Sequence, residues 1–266
     1  MKRAITYALV TGAGIGLGKA IATELAKKGH NLLLLARPDE SLVELSQYLS
    51  VQYKINTQCK EVDFTESDAM PSVQEWLKGY TVNILVNNAG IGGSNYFQHE
   101  NIDNMDAMLK VNIRAMVLLT HMLMENMSKN APAYILNVAS MASCCPIAFK
   151  TIYPASKSFV YSFSRSLNEE LKPLSISVSV LLPGPIKTNH EITSRINKQG
   201  WWVKAGLQNP KNIAEIAVRK MLNQNCVIIP GRINKINWLL LKLLPKGISI
   251  PLVSNAVKNE IQLAVV

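Results

Sequence analysis

Ala4-Ile-Thr-Tyr-Ala-Leu-Val10-Thr11-Gly12-Ala-Gly14-Ile15-Gly16-Leu-Gly18 is the stretch that decides the fold. Ala4 to Val10 is a short run of strand-forming apolar residues, and helical spacing begins at Lys19 and holds to Lys28. A buried strand, a tight turn and a helix are expected in that order. Met1-Lys-Arg before the run imitates an export signal, but the run is short and lacks a cleavage site, so neither export nor an N-terminal membrane span is expected. The glycines let backbone approach a pyrophosphate at a helix N-terminus, with Gly12, Gly14, Ile15, Gly16 and Gly18 as the candidate cradle. The spacing is T-G-x-x-x-G-x-G rather than G-x-G-x-x-G, and glycine serves tight packing as well as ligands, so the turn alone leaves both readings open.

Outward from this turn, strand-like runs recur at Asn31 to Ala36, Thr57 to Val62, Asn83 to Val86, Tyr134 to Val138, Ser175 to Leu182 and Cys226 to Ile229, with helix-sized segments between them. Such alternation forces parallel strands joined by right-handed crossovers. The expected fold class is therefore α/β: a Rossmann-type doubly wound parallel sheet of about seven strands, with ligands at the strands' carboxyl ends. The 266 residues, 48% hydrophobic and 17% charged, suit one domain. We divide it into residues 1–232, the nucleotide-binding catalytic part with a substrate lid over 188–208, and residues 233–266, a basic amphipathic extension of the same domain.

Composition excludes several classes. Four cysteines without a Cys-x-x-Cys pattern describe no disulfide framework or zinc ribbon, and a reducing cytoplasm is expected. His30, His99, His121 and His190 have no ligand spacing, so no metal is expected. The net charge of +10 is uneven: 16 basic against 15 acidic residues precede Lys187, and 12 against 3 follow from it. A basic surface attracts phosphates, anionic lipid or acidic partners, but no nucleic-acid recognition motif accompanies it.

Strand two closes on Leu35-Ala36-Arg37, where a carboxylate would suit the ribose 2′-hydroxyl of NAD; Arg37 presents a planar fork suited to a 2′-phosphate. NADP(H) is thus favoured over NAD(H), with a solvated loop arginine, or pairing with Asp39 and Glu40, as the bland alternative. Further along stand Asn87-Asn88-Ala89-Gly90, Asn112, Asn137-Val-Ala-Ser140, Tyr153-Pro-Ala-Ser-Lys157 and Pro183-Gly184-Pro-Ile186-Lys-Thr188. In this order and spacing, over roughly residues 4 to 230, the chain resembles the classical short-chain dehydrogenase/reductase family, within it the subgroup carrying a basic, leucine-rich C-terminal tail.

Tyr153 and Lys157 also carry an argument of their own. Residues four apart share a helix face, and a neighbouring ammonium together with a helix N-terminus is expected to lower the phenol from its ordinary value toward working pH. A half-buried tyrosine beside a snorkelling lysine is the alternative for the pair alone. The resemblance implies more: Tyr153 exchanges a proton with the carbonyl or hydroxyl oxygen, Ser140 donates to that oxygen, Lys157 also holds the nicotinamide ribose, and Asn112 steadies a water relay. It further implies cofactor contacts at Asp63, Asn88, Ala89, Gly90, Pro183, Gly184, Ile186 and Thr188, in addition to the glycine turn and Arg37. Asp63 reads equally as a cap beside Thr65 and Glu66. Ala115 stands where the family usually has glycine. Cys144 and Cys145 either line the substrate cleft or pack a loop, the second being favoured.

The expected activity is NADPH-dependent reduction of a ketone or aldehyde, reversible as oxidation of a secondary alcohol. The alternatives are an NAD-dependent alcohol dehydrogenase and a non-catalytic nucleotide sensor or membrane-surface adaptor. Trp201 and Trp202 fit a lid over a lipophilic substrate or anchors of an ordinary loop. Asn237-Trp-Leu-Leu-Leu-Lys-Leu-Leu-Pro245 is too interrupted to span a bilayer, and fits peripheral membrane contact, closure over the lid or a dimer seam. A homodimer or homotetramer is what the resemblance implies.

Overall fold

The structure is a computed structural model that describes residues 5–38, 40–186 and 206–262. Thr188, Trp201 and Trp202 lie outside the described residues. Seven strands form one parallel sheet: β1 (Thr6–Thr11), β2 (Asn31–Ala36), β3 (Thr57–Glu61), β4 (Thr81–Asn87), β5 (Ala133–Val138), β6 (Ile176–Leu181) and β7 (Val227–Ile228). Their order is β3-β2-β1-β4-β5-β6-β7. The chain winds one way from β1 to β3 and then restarts beside β1 with β4, which opens a crevice at the carboxyl ends of β1 and β4. The expected alternation holds. β7 is shorter than its apolar run because only Val227 and Ile228 pair, with Val180 and Leu181.

The helices are α1 (Gly16–Lys27), α2 (Leu42–Tyr53), α3 (Ala69–Leu77), α4 (Ile102–Leu109), α5 (Met116–Lys129), α6 (Ile152–Leu171), α7 (Pro210–Leu222), α8 (Arg232–Leu243) and α9 (Lys246–Gln262). The period of two along each strand divides the core between the sheet's faces. Ala8, Val10, Leu32, Leu34, Ile84 and Val86 meet α1, α2 and α7. Leu9, Leu33, Leu35 and Leu85 meet α3, α5 and the end of α6. Burial on both faces explains why Leu32-Leu33-Leu34-Leu35 is continuously apolar rather than alternating.

The continuous helix Ile102–Lys129 is long and apolar enough to cross a membrane by length and composition. Here it is the crossover between β4 and β5. Val111, Ala115, Leu119, Leu123 and Met127 recur at helical spacing and are buried against the sheet. Full burial of a side chain such as Leu119 contributes about 1.5–3 kcal/mol. A π-turn over Lys110–Ala115 joins α4 to α5, a local widening that re-aims the side chains of that turn, Asn112 among them.

Candidate active site

The crevice is a cleft of about 660 Å³ lined by the glycine turn, Arg37, Glu40, Asp63 to Thr65 and Asn88 to Ile91. Gly12 stands at φ +60, a left-handed conformation that a side chain would strain. A Cβ on Gly18 would meet the Gly12 carbonyl oxygen at 1.9 Å, so α1 packs directly against the strand end. Ile15 caps α1 without any side-chain hydrogen bond, and the first turn carries no acidic residue. The first amides of α1 thus keep their capacity for an anion, which fits a pyrophosphate.

Asn88 ties this turn to β4. Its Nδ2 donates to the Thr11 and Gly12 carbonyl oxygens at 3.0 and 3.1 Å, while Thr11 Oγ1 accepts from the Asn88 and Ala89 amides at 3.0 Å. Arg37 lies at the cleft rim, 59% exposed, its Nε donating to Glu40 Oε1 at 3.3 Å. A Cβ on Gly14 would lie 2.5 Å from Glu40 Cβ, so the glutamate leans over the glycine turn. Asp63 Oδ1 accepts from the Thr65 amide and hydroxyl at 2.9 and 2.8 Å in a local turn; it caps no helix, since α3 begins at Ala69 with Asp68 as its N-cap, and it lines the cleft instead. The shape and the uncapped helix end fit a dinucleotide, and Arg37 with Glu40 stands at its rim.

At the other end of the crevice, α6 begins with Tyr153 in its first turn and brings Lys157 round one turn later. Ser140 follows β5, where its Oγ accepts from the Ala142 amide at 3.1 Å and forms a side-chain hydrogen bond with Tyr153. Lys157 is 4% exposed and donates to the Val138 carbonyl oxygen at 3.0 Å, its Nζ 5.9 Å from the Tyr153 ring centre. Asn112 Oδ1 accepts from the Ile91 amide at 2.8 Å, and its Nδ2 donates to the Ile91 carbonyl oxygen and to Ser156 Oγ at 2.9 and 3.0 Å. Ser156 Oγ donates in turn to the Tyr153 carbonyl oxygen at 2.8 Å. A Cβ on Gly90 would approach Lys157 Nζ at 3.0 Å and Asn112 Oδ1 at 3.3 Å, so Gly90 marks where these groups converge.

The electrostatics correct one expectation. Burial pushes the Tyr153 phenol up, opposed by its hydrogen bond with Ser140. Burial also pushes Lys157 down from its ordinary value to about 8. The phenol is therefore not lowered by the ammonium. Both groups occupy a poorly solvated interior that disfavours either charge, and the amine is turned to the Val138 carbonyl.

Pro183 accepts from the Met141 amide at 3.0 Å through its carbonyl. Ile186 bridges to Gln208, whose amide donates to the Pro185 carbonyl at 3.0 Å. A Cβ on Gly184 would meet Asn234 Nδ2 at 2.6 Å. Cys145 is buried with its Sγ 3.6 Å from Ser249 Oγ, and Cys144 gives its carbonyl to Lys246, as expected of cysteines that pack a loop. Among the described residues no cluster has metal-ligand character.

The sequence named Glu40 as a partner for Arg37, and that pair forms; it did not single out Gly92, Ser156 or Asn234. A Cβ on Gly92 would lie 2.8 Å from Tyr153 Cδ2, so the loop after β4 rests on the tyrosine ring. The run Gly90-Ile-Gly92-Gly93 was the available signal for Gly92; Ser156 and Asn234 join the site through contacts distant in the chain.

Fold, glycine-lined crevice and Ser-Tyr-Lys grouping together define a Rossmann-like α/β architecture with a polar side-chain cluster at the carboxyl ends of its strands. The short chain dehydrogenase family profile matches residues 6–199, and the chain belongs to that family. Very-long-chain 3-oxoacyl-CoA reductase-A of Danio rerio is 36% identical over 181 residues, covering 66% of this chain and 57% of that protein. 17-beta-hydroxysteroid dehydrogenase type 3 of Homo sapiens is 33% identical over 184 residues, covering 68% and 59%. The chain thus spans about three fifths of the length of these relatives. A short-chain dehydrogenase of Sphingobium yanoikuyae in complex with NADPH superposes with a TM-score of 0.76 at 26% identity, over 90% of this chain and 92% of that one.

Proposed function

We propose that this protein is an NADPH-dependent reductase of a lipophilic ketone or aldehyde, reversible as a secondary-alcohol dehydrogenase. The observation that carries the reading is the meeting of Ser140, Tyr153 and Lys157 beside Gly90, at the end of a cleft whose far rim bears Arg37. When bound, the nicotinamide supplies the hydride. Tyr153 gives the carbonyl oxygen its proton, and the raised phenol affinity keeps that proton in place until the oxygen becomes basic. Ser140 donates to the same oxygen as its charge develops, the moment at which such a bond lowers the barrier. Lys157, at about 8, is mostly protonated near neutrality; it holds the nicotinamide ribose and returns a proton toward Tyr153, with Asn112 steadying the relay.

Gly12, Gly14, Ile15, Gly16 and Gly18 receive the pyrophosphate, Arg37 the 2′-phosphate and Asp63 the adenine. Asn88, Ala89 and Gly90 border the ribose, and Pro183, Gly184, Ile186 and Thr188 border the carboxamide. The names of the relatives, a long-chain oxoacyl reductase and a hydroxysteroid dehydrogenase, support an apolar substrate. NADPH in the Sphingobium structure supports the cofactor choice. A second reading, NAD dependence, is favoured by Glu40 and Asp63 at the same end of the cleft. Four free thiols suit a reducing cytoplasmic setting, and a homodimer or homotetramer completes the proposal.

The test is oxidation of NADPH and NADH against a panel of short, aromatic, steroid and long-acyl carbonyl compounds, using wild type and Tyr153→Phe. Turnover lost in Tyr153→Phe with cofactor affinity retained supports the reductase. Tight cofactor binding without turnover on any compound supports a nucleotide sensor instead.

A further inference from the structure

Helix α8 turns an apolar face to solvent. Its protein-facing side carries Asn234, 3% exposed, whose Nδ2 donates to the Gly206 and Pro230 carbonyl oxygens at 3.1 Å and to Gln208 Oε1 at 3.3 Å. Its solvent side carries Ile233, Ile236, Leu239, Leu240 and Leu243, each between 40 and 71% exposed. At 3.6 residues per turn these five occupy an arc of roughly 120°. Ile248 and Leu252 of α9, 58 and 63% exposed, add to the apolar surface beyond. Single exposed apolar residues are ordinary, but a row of them on one helix face marks an interaction surface.

The surroundings of that face identify what covers it. Arg232, Lys235, Lys242 and Lys246 are all exposed, and no Asp or Glu occurs between Gly231 and Lys258. Lys242 Nζ stands 5.1 Å from the Trp238 ring centre, so a cation and an indole share one flank of the helix. Leucine and isoleucine in the middle, cations at the edge and no acidic group match the acyl and phosphate layers of an anionic bilayer surface. A second copy of this face would bring like charges together, which argues against a self-paired seam.

We propose that α8 and the start of α9 dock this chain on an anionic lipid bilayer, with the active-site loop held beside the membrane. The same tail is fastened to the loop that follows Ser140: Lys246 Nζ donates to the Cys144 carbonyl at 3.0 Å, and the Ala148 amide donates to Ser254 Oγ at 2.9 Å. Trp238 packs with Met141 and Cys144 in one apolar cluster. Docking thus places the mouth of the site where a membrane-dissolved carbonyl compound arrives. Only this delivery role rests on the reductase reading; the docking does not.

The test is flotation of the full chain with vesicles of phosphatidylcholine alone or mixed with phosphatidylglycerol. The probes are wild type, Leu240→Glu with Leu243→Glu, and Arg232→Glu with Lys235→Glu. The altered side chains are exposed, and unchanged NADPH affinity and thermal midpoint establish that each variant is folded. Wild type floats with anionic vesicles and is released by salt, and both double variants bind at least about tenfold less. Wild type that stays unbound, or floats equally with neutral vesicles, overturns the proposal. So do folded variants that float as wild type does, and a dimer in sedimentation that Leu240→Glu with Leu243→Glu splits while vesicles capture nothing. Flotation without carbonyl turnover leaves docking standing and removes the reductase reading; turnover without flotation does the reverse.

Discussion

Replacing Arg37 with alanine separates the two cofactors. Arg37 is 59% exposed and its ion pair with Glu40 lies at the surface, so the pair itself stabilises the fold by about 0–1 kcal/mol. A charge-assisted hydrogen bond to a phosphate contributes about 1.5–3 kcal/mol. Arg37→Ala should therefore raise the NADPH Kd about 10- to 150-fold and leave the thermal midpoint nearly unchanged. NADH lacks the 2′-phosphate, and its Kd should move by less than about threefold. Glu40→Gln is the companion: it removes the carboxylate that holds the guanidinium and would repel the phosphate, and should tighten NADPH about three- to tenfold. Calorimetric titration at fixed ionic strength measures both, with 2′,5′-ADP against 5′-AMP isolating the extra phosphate. Equal losses for NADPH and NADH in Arg37→Ala, or equal gains in Glu40→Gln, would refute the assignment.

Three other perturbations follow from the geometry. Lys157 keeps a proton up to its ordinary value near 10.5 when unfolded but only to about 8 when folded, so between those limits the unfolded chain binds more protons and stability rises with pH. The burial penalty is full below pH 8. Relative to Lys157→Met, wild type should gain about 3 kcal/mol from pH 8 to 10.5 in denaturant titrations, and a flat difference contradicts the burial argument. Gly92→Ala puts a methyl 2.8 Å from the Tyr153 ring and should lower kcat about 10- to 100-fold with cofactor Kd held, which single-turnover kinetics can check. Asn234→Ala strips Gly206, Gln208 and Pro230 of a buried donor and should destabilise by about 1–3 kcal/mol in thermal unfolding; an unchanged midpoint speaks against that anchor.

The alternation of apolar runs and helix-sized segments was enough to specify a parallel doubly wound sheet, because strand and helix periods are local properties of the chain. The glycine turn after β1, Asn88 to Gly90 after β4 and Ser140 after β5 were readable for the same reason: each sits at a strand end, and strand ends converge in this fold. Tyr153 and Lys157 needed only helical spacing to be placed on one face. Their proton affinities could not be read that way. Burial reverses the direction expected for Tyr153, and burial depends on Val138, Gly90 and Gly92, which come from other elements. Glu40 over Gly14, and Asn234 between Gly184, Gly206 and Pro230, are likewise contacts made across the chain. The leucines of α8 look in sequence like any buried stripe. Only tertiary packing decides that Asn234 faces the protein and Leu240 and Leu243 face outward, because periodicity defines a helix's faces without choosing which one the fold covers.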